Sequence, residues 1–311
     1  MKKLLIIILL LLLGASLYLV LPSSLSSEQI RFVIPLEAKQ EDSVKRLKED
    51  GFIRSPRLLN IALFLMKFPG TIEPGAYNIS KNMTFPSLAY TLLYKPSQKW
   101  VVVVPGNRNT QIAEKLVKEL DWDGKREKEF LSVAKEGYMF PETYLIPVEE
   151  TPGDVVKRME AVFNEKFDEK MYTDALNMDV RVDTIVKIAS LIQRESGGDV
   201  DKALIAGIIW NRLNNGMKLQ IDATAQYYKG FPGNWWPKVL PEYLREDHPY
   251  NTYKIDGLPP GPIANPTLPS LKAALYPAET DCLFYLHDRN KQIHCAQTFE
   301  EHKANIEKYL R

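Results

Sequence analysis

The sequence predicts an α+β protein behind an N-terminal transmembrane helix, and three observations carry this. An unbroken apolar run opens the chain, strand and helix patterns alternate after it, and strongly periodic helices then give way to a long proline- and glycine-rich loop. With 311 residues, 45% hydrophobic and 25% charged, the chain is long enough for two folded parts with real cores. Its formal net charge of +1, with Lys and Arg spread throughout, argues against a nucleic-acid partner, whose surface would concentrate basic residues.

Residues 4–21 form the apolar run, preceded by Lys2 and Lys3. At 1.5 Å per residue a run of this length nearly spans a hydrocarbon core of roughly 30 Å. A cleaved signal peptide is the alternative, since Gly14, Ala15 and Ser16 are small. The apolar stretch outlasts the usual signal core of about 7 to 15 residues, which favours an anchor. The two lysines stay cytoplasmic by the positive-inside rule, sending everything after Pro22 across the membrane.

"PSSLSSEQ" (22–29) reads as a polar linker, "RFVIP" (31–35) as a strand stopped by proline, and Ser43 as the start of a helix with Val44 and Leu47 on one face. A second helix is expected over 58–68 and a strand at "PGAYNIS". The pattern partly recurs at "WVVVVP" (100–105) and "TQIAEKLVKEL", placing a boundary near residue 98.

From Val182 the chain turns helical. Ile185, Ile188, Ala189 and Ile192 make one stripe, and Glu195 in "KIASLIQRESGG" continues it seven residues after Ile188. A carboxyl on that stripe loses hydration, which disfavours its charged form and suits a general acid near neutrality; Gly197 and Gly198 let a bulky group approach. A lone helix-end glutamate usually just meets water. A second helix covers about 201–214, closed by "NNG". "PYNTYKIDGLPPGPIANPTLP" is too rich in Pro and Gly for regular structure, and such a loop in a compact domain usually builds a site. Asp222 is the natural second carboxylate of a two-acid glycosidase, with a helix-cap role as its plainer reading. No nucleophile elbow, P-loop, dinucleotide fingerprint or His-Glu zinc motif occurs, and no metal or cofactor is called for.

Cys282 and Cys295 bracket a hairpin whose turn is expected at Asp288 and Arg289, which would set the two cysteines opposite each other and away from Glu195. Free thiols or a disulfide fit them better than zinc with His287 and His294, because the ligand spacings of structural zinc are missing.

Together, "IASLIQRESGG", "IIWNRLNNGMKLQIDAT", "HPYNTYKIDGLPPGPIANPTLPSLKAALYPA" and "TFEEHKANI" resemble, in order, the signatures of the YceG-like (MltG) endolytic murein transglycosylases. The resemblance implies a tip and anchor over 1–24, a LysM-like membrane-proximal subdomain over 25–98, and a helical, loop-rich catalytic domain with small β-sheets over 99–311. It carries the catalytic glutamate onto Glu195 and reverses the plainer reading of that residue. Gln220, Asp222, Asn251, Tyr253 and Asn265 take substrate-positioning roles. The implied reaction cleaves the bond between N-acetylmuramic acid and N-acetylglucosamine in nascent glycan strands and leaves a 1,6-anhydro end. Partners follow as peptidoglycan strands, the inner membrane and peptidoglycan synthases, with the catalytic part on the periplasmic side. A water-using muramidase with Glu195 and Asp222, and a catalytically silent glycan-binding scaffold, are the rivals. The last hairpin and "VPGNRNT" depart from the family pattern.

Overall fold

The computed structural model describes Gly14 and residues 21–311. In chain order these residues form β1 (Ile30–Ile34), α1 (Gln40–Glu49), α2 (Pro56–Met66), β2 (Gly75–Ile79), α3 (Phe85–Tyr94), β3 (Gln98–Val102), α4 (Asn109–Leu120), α5 (Gly124–Val133), β4 (Thr143–Pro147) and α6 (Pro152–Lys166). They continue with α7 (Glu169–Asn177), α8 (Val182–Glu195), α9 (Lys202–Asn214), α10 (Asp222–Lys229), α11 (Leu268–Leu275), β5 (Phe284–His287), β6 (Ile293–Ala296) and α12 (Phe299–Leu310). The class is mixed α and β with small antiparallel sheets. The expected membrane helix over 4–21 lies outside the described residues, apart from Gly14 and Leu21. Among the described residues no helix is long and apolar enough to cross a membrane.

The chain divides into two compact units, one of Met1–Val101 with Thr143–Glu150 and the other of Val102–Glu142 with Thr151–Arg311. The first holds a four-stranded sheet in the order β1-β2-β3-β4. β1 and β2 pair antiparallel from Ile30 opposite Ile79 to Ile34 opposite Gly75. β1 alternates as a half-buried strand should, turning Phe32 and Ile34 inward. α1 buries Val44 and Leu47, with Glu41 and Asp42 in its first turn and Arg46 and Lys48 in its last, where each charge complements the helix dipole. α2 starts where Ser55 accepts the backbone N–H of Leu58 ahead of Pro56. Leu59 and Leu63 of α2 complete this core with Tyr77, Leu88 and Leu92.

The second unit is organised around α8. Every residue from Ile188 to Ile192 is buried, together with Ile185 and Val186, so the helix is a core element. Its core partners include Ile205 and Ile209 of α9, Leu271 and Ala274 of α11, and Phe163 and Phe167 at the end of α6. Two polar side chains of α8 are paired with the long loop. Ser190 Oγ accepts the backbone N–H of Ile263 (3.0 Å), and Gln193 Oε1 accepts from the hydroxyls of Thr267 and Ser270, each at 2.8 Å. The long loop is thereby fixed to the helix that carries Glu195.

Gly207 lets α9 approach the chain at Ala278. A Cβ built there would meet the carbonyl oxygen of Ala278 at 2.3 Å. Helix propensity alone makes Gly→Ala favourable by about 1 kcal/mol; this contact reverses the sign. We predict that Gly207→Ala destabilises by roughly 1 to 3 kcal/mol in denaturant unfolding. Gly153→Ala in α6, where a Cβ meets nothing within 4 Å, is neutral or mildly stabilising. Equal effects at the two sites would refute the packing role of Gly207.

Candidate active site

Glu195 is the last residue of α8, and Ser196 leaves the helix in extended conformation. Its side chain is half-buried, so it meets a cavity while losing much of its hydration. Tyr285 of β5 donates its hydroxyl to Glu195 Oε2 at 2.7 Å. The backbone N–H of Ala223, in the first turn of α10, is a second donor to the carboxylate. Burial pushes the Glu195 carboxyl above its ordinary value of 4.5. Tyr285, Ala223 and the imidazole of His287 pull it down, and the charge of Asp222 pushes it up. The pair orders itself unambiguously: burial and the neighbouring carboxylate hold the Tyr285 hydroxyl well above its normal titration range, so it stays a donor.

The cavity has a volume of about 410 Å³ and is lined by Glu195, Gln220, Asp222, Tyr253, Tyr285 and His287, among others. Three of the five residues expected beside Glu195 are therefore brought to it. Asp222 is exposed and accepts the hydroxyl of Tyr253 at 2.7 Å on Oδ1. Gln220 stands at the rim with φ of 51°, a left-handed conformation rare for a residue with a Cβ.

Asn251 and Asn265 do not line the cavity. Both are fully buried. Asn251 donates through Nδ2 to the carbonyls of Tyr243, Leu244 and Glu246, and its Oδ1 accepts the N–H of Tyr253. It holds the turn that presents Tyr253. Asn265 donates to Asn107 O, Asn109 Oδ1 and Glu136 Oε1 and accepts the N–H of Met139 at 2.8 Å. An irregular buried loop leaves carbonyls that no ladder pairs, and these two amides satisfy them.

The structure adds residues that the sequence reading did not place beside Glu195. Tyr285 and His287 share one face of β5 by the two-residue period of a strand. His287 Nε2 lies 2.7 Å from Asp201 Oδ2, which also accepts the N–H of Gly197 at 2.8 Å. The glycine-containing segment after Glu195 is thus braced at Gly197 from β5. Arg212 is buried in the cavity wall. Its Nε donates to Leu283 O (2.6 Å) and its Nη1 to Leu219 O (2.7 Å), which ties the chain before β5 to the chain before Asp222. An arginine inside an apolar helix pattern was the available signal.

The hairpin register differs from expectation. Tyr285 faces Cys295 and His287 faces Ile293, so the turn spans 288–292 rather than centring on Asp288 and Arg289. Asp288 causes this, because its Oδ1 accepts the N–H groups of Asn290 and Gln292, and Lys291 takes the left-handed conformation. Cys282 precedes β5 and is bonded to Cys295 with a Cα separation of 5.8 Å, not as a directly opposed strand pair. The bond belongs to the hairpin that supplies Tyr285, whose hydroxyl is bonded to Glu195.

A second carboxyl, Glu136, lies outside that cavity lining. It accepts from the N–H of Asn109 (3.0 Å) and from Asn265 Nδ2 (3.1 Å), beside Arg108 and Tyr227. Burial raises it to about 7 against these donors.

Comparison with known proteins completes the site. A sequence model of the YceG-like family matches residues 32–308. The chain belongs to the YceG-like family. This YceG-like chain is 29% identical over 316 aligned residues to an endolytic murein transglycosylase of Bacillus subtilis, across 92% of this chain and 86% of that one. An endolytic murein transglycosylase of Streptococcus pneumoniae is 30% identical over 178 residues, covering 56% of this chain and 32% of that longer protein. The crystal structure of a YceG-like protein of Listeria monocytogenes superposes with a TM-score of 0.64 at 25% identity, over 90% of this chain and 99% of the other.

Two outcomes follow from the titrating groups. Tyr285→Phe removes a donor that favours the Glu195 carboxylate, so the Glu195 pKa rises further. A general acid at this position would need the protonated form, so the alkaline limb of the rate profile is expected to move to higher pH while the plateau falls by about 10-fold. An unmoved limb would remove Tyr285 from the proton chemistry. For Glu136, a folded value of about 7 above an ordinary 4.5 means that the fold holds the proton more tightly than the unfolded chain. Stability is highest below the unfolded value and declines as pH rises from about 4.5 to about 7. Melting temperature across this window should fall less in Glu136→Gln than in the unsubstituted protein.

Proposed function

We propose that this protein is an endolytic lytic transglycosylase of peptidoglycan that cuts within nascent glycan strands and limits their length. The observation that carries the reading is the partly desolvated, cavity-facing Glu195 carboxyl, held by Tyr285, in a YceG-like chain similar to the Bacillus subtilis enzyme over nearly its whole length. Protonated Glu195 donates its proton to the glycosidic oxygen as the bond to the muramic anomeric carbon breaks. The resulting carboxylate, stabilised by the Tyr285 hydroxyl and the Ala223 N–H, takes the proton of the muramic 6-hydroxyl. That oxygen closes on the anomeric carbon to give the 1,6-anhydro end. One group is acid and then base, and an elevated pKa suits both halves of the cycle. No water is consumed. Asp222, bonded to Tyr253, keeps a positioning role with Gln220.

The finer parts of the reading extend this. Residues 4–21 anchor the chain once in the inner membrane with the folded part on the periplasmic side, and residues 25–98 are the LysM-like, membrane-proximal subdomain. Peptidoglycan synthases are the partners that such a position suits.

Glu195→Gln keeps shape and hydrogen bonding but cannot carry the proton, so cleavage should drop by about 10²- to 10⁴-fold with the thermal unfolding transition unchanged. Mass analysis of products from uncrosslinked glycan tests the reaction type in the same experiment. Anhydro ends, lighter by one water than hydrolysed ends, are expected; reducing ends would establish the muramidase, and intact strands the silent scaffold.

A further inference from the structure

α2 has two apolar faces. Its sequence, PRLLNIALFLM, buries Leu59 and Leu63 on the inner side, while Ile61, Phe64 and Leu65 point outward, Leu65 with 76% of its surface exposed. Arg57 and Asn60 are the polar residues of this outer side, and from Ile61 to Met66 no polar residue follows; a surface helix of a water-soluble unit carries polar residues there, so this half of the helix marks a second apolar surrounding. The outer face continues past the helix. Phe68 is 79% exposed and its ring lies 5.2 Å from that of Phe64. On α3, Tyr90 and Tyr94 are exposed with ring centroids 5.1 Å apart, and Tyr94 donates to the carbonyl of Met66 at 3.1 Å, joining the two helices into one patch.

The rim of the patch is cationic and amphipathic. Lys67 Nζ lies 5.7 Å from the Tyr94 ring and Lys95 Nζ 5.3 Å from the Tyr90 ring, with Glu73 near Lys67 the acidic counterweight at 3.8 Å. Aliphatic centre, tyrosines and flexible lysines at the edge make up the composition of a helix lying in a bilayer interface, where tyrosine hydroxyls and lysine amines reach the headgroups. Ile61 and Leu65 offer no hydrogen bond to a sugar, which disfavours a glycan as the occupant.

The chain also enters next to this face. Leu21 ends the apolar run, and its carbonyl accepts Arg54 Nη1 at 2.7 Å while that of Pro22 accepts Nη2 at 2.9 Å. Arg54 stands two residues before α2, and the helix is about 16 Å long at 1.5 Å per residue. The end of the apolar run is thus fastened beside the N-terminal end of the helix whose C-terminal half carries Leu65.

We propose that the outer face of α2, with Phe68 and the tyrosine edge of α3, rests in the headgroup interface of the same bilayer that holds residues 4–21, so that the first unit is docked on the membrane and not merely tethered to it. This rests on the anchor reading of residues 4–21. The test uses the full chain in nanodiscs of phosphatidylglycerol and phosphatidylcholine, with a fluorophore on Leu65→Cys, the native cysteines being disulfide-bonded. Nitroxide lipids labelled near the headgroup should quench it several-fold, and Ile61→Glu with Phe64→Glu should abolish that quenching while cleavage of soluble strands persists. An unquenched fluorophore in discs that do retain the protein overturns the docking and leaves the anchor standing. Protein that does not co-float with the discs overturns both. Shielding of the label by added glycan strands, or by raising protein concentration without lipid, assigns the face to glycan or to a second copy and overturns the proposal.

Discussion

The arrangement of the second unit depends on one unfavourable act, the partial burial of a carboxyl at the C-terminal end of a helix. The helix dipole presents negative potential there, and loss of hydration adds to it, so the ionised form is penalised twice. Two donors from elsewhere offset the penalty, the Tyr285 hydroxyl and the Ala223 N–H at the start of α10. The N-terminus of α10 faces the C-terminus of α8 through this carboxyl. Both protonation states of Glu195 are thereby supported, which a group that gives and retakes a proton needs.

The supports are themselves supported. Tyr285 is positioned by a hairpin closed by Asp288, crosslinked through Cys282 and Cys295, and attached at Leu283 by the buried guanidinium of Arg212. His287, one strand period on, holds Asp201 and through it the N–H of Gly197. Glu195 is consequently bracketed by β5 on its side chain and on the backbone that follows it. The Pro- and Gly-rich loop is anchored to α8 by Ser190 and Gln193, so the helix that bears the acid also orders the loop.

Glu195 was legible because its position is a consequence of helical period, and period survives any detail of packing. The α8 stripe, the α9 helix and the β1-α1-α2-β2 order that opens the first unit were readable from period in the same way, whereas α3 and β4 of that unit were not among the expected elements. Register was not. A hairpin turn depends on which side chain caps the loop amides, and Asp288 moved the turn by capping two of them. Asn251 and Asn265 took substrate-positioning roles from the family resemblance; their burial and their bonds show that a loop of this kind first has to satisfy its own carbonyls. Tyr285 and His287 lie about ninety residues from Glu195 in sequence, and no local pattern links residues so far apart.

The most direct test of this account is the titration of Glu195 itself in the free enzyme. Side-chain carboxyl resonances followed by NMR against pH, with Glu195 assigned by its loss in Glu195→Gln, should give a midpoint clearly above the ordinary 4.5. Removing the Tyr285 hydroxyl should move that midpoint higher. A midpoint at or below 4.5 would mean that the carboxyl is hydrated and ionised throughout, and the acid role assigned to it would be contradicted.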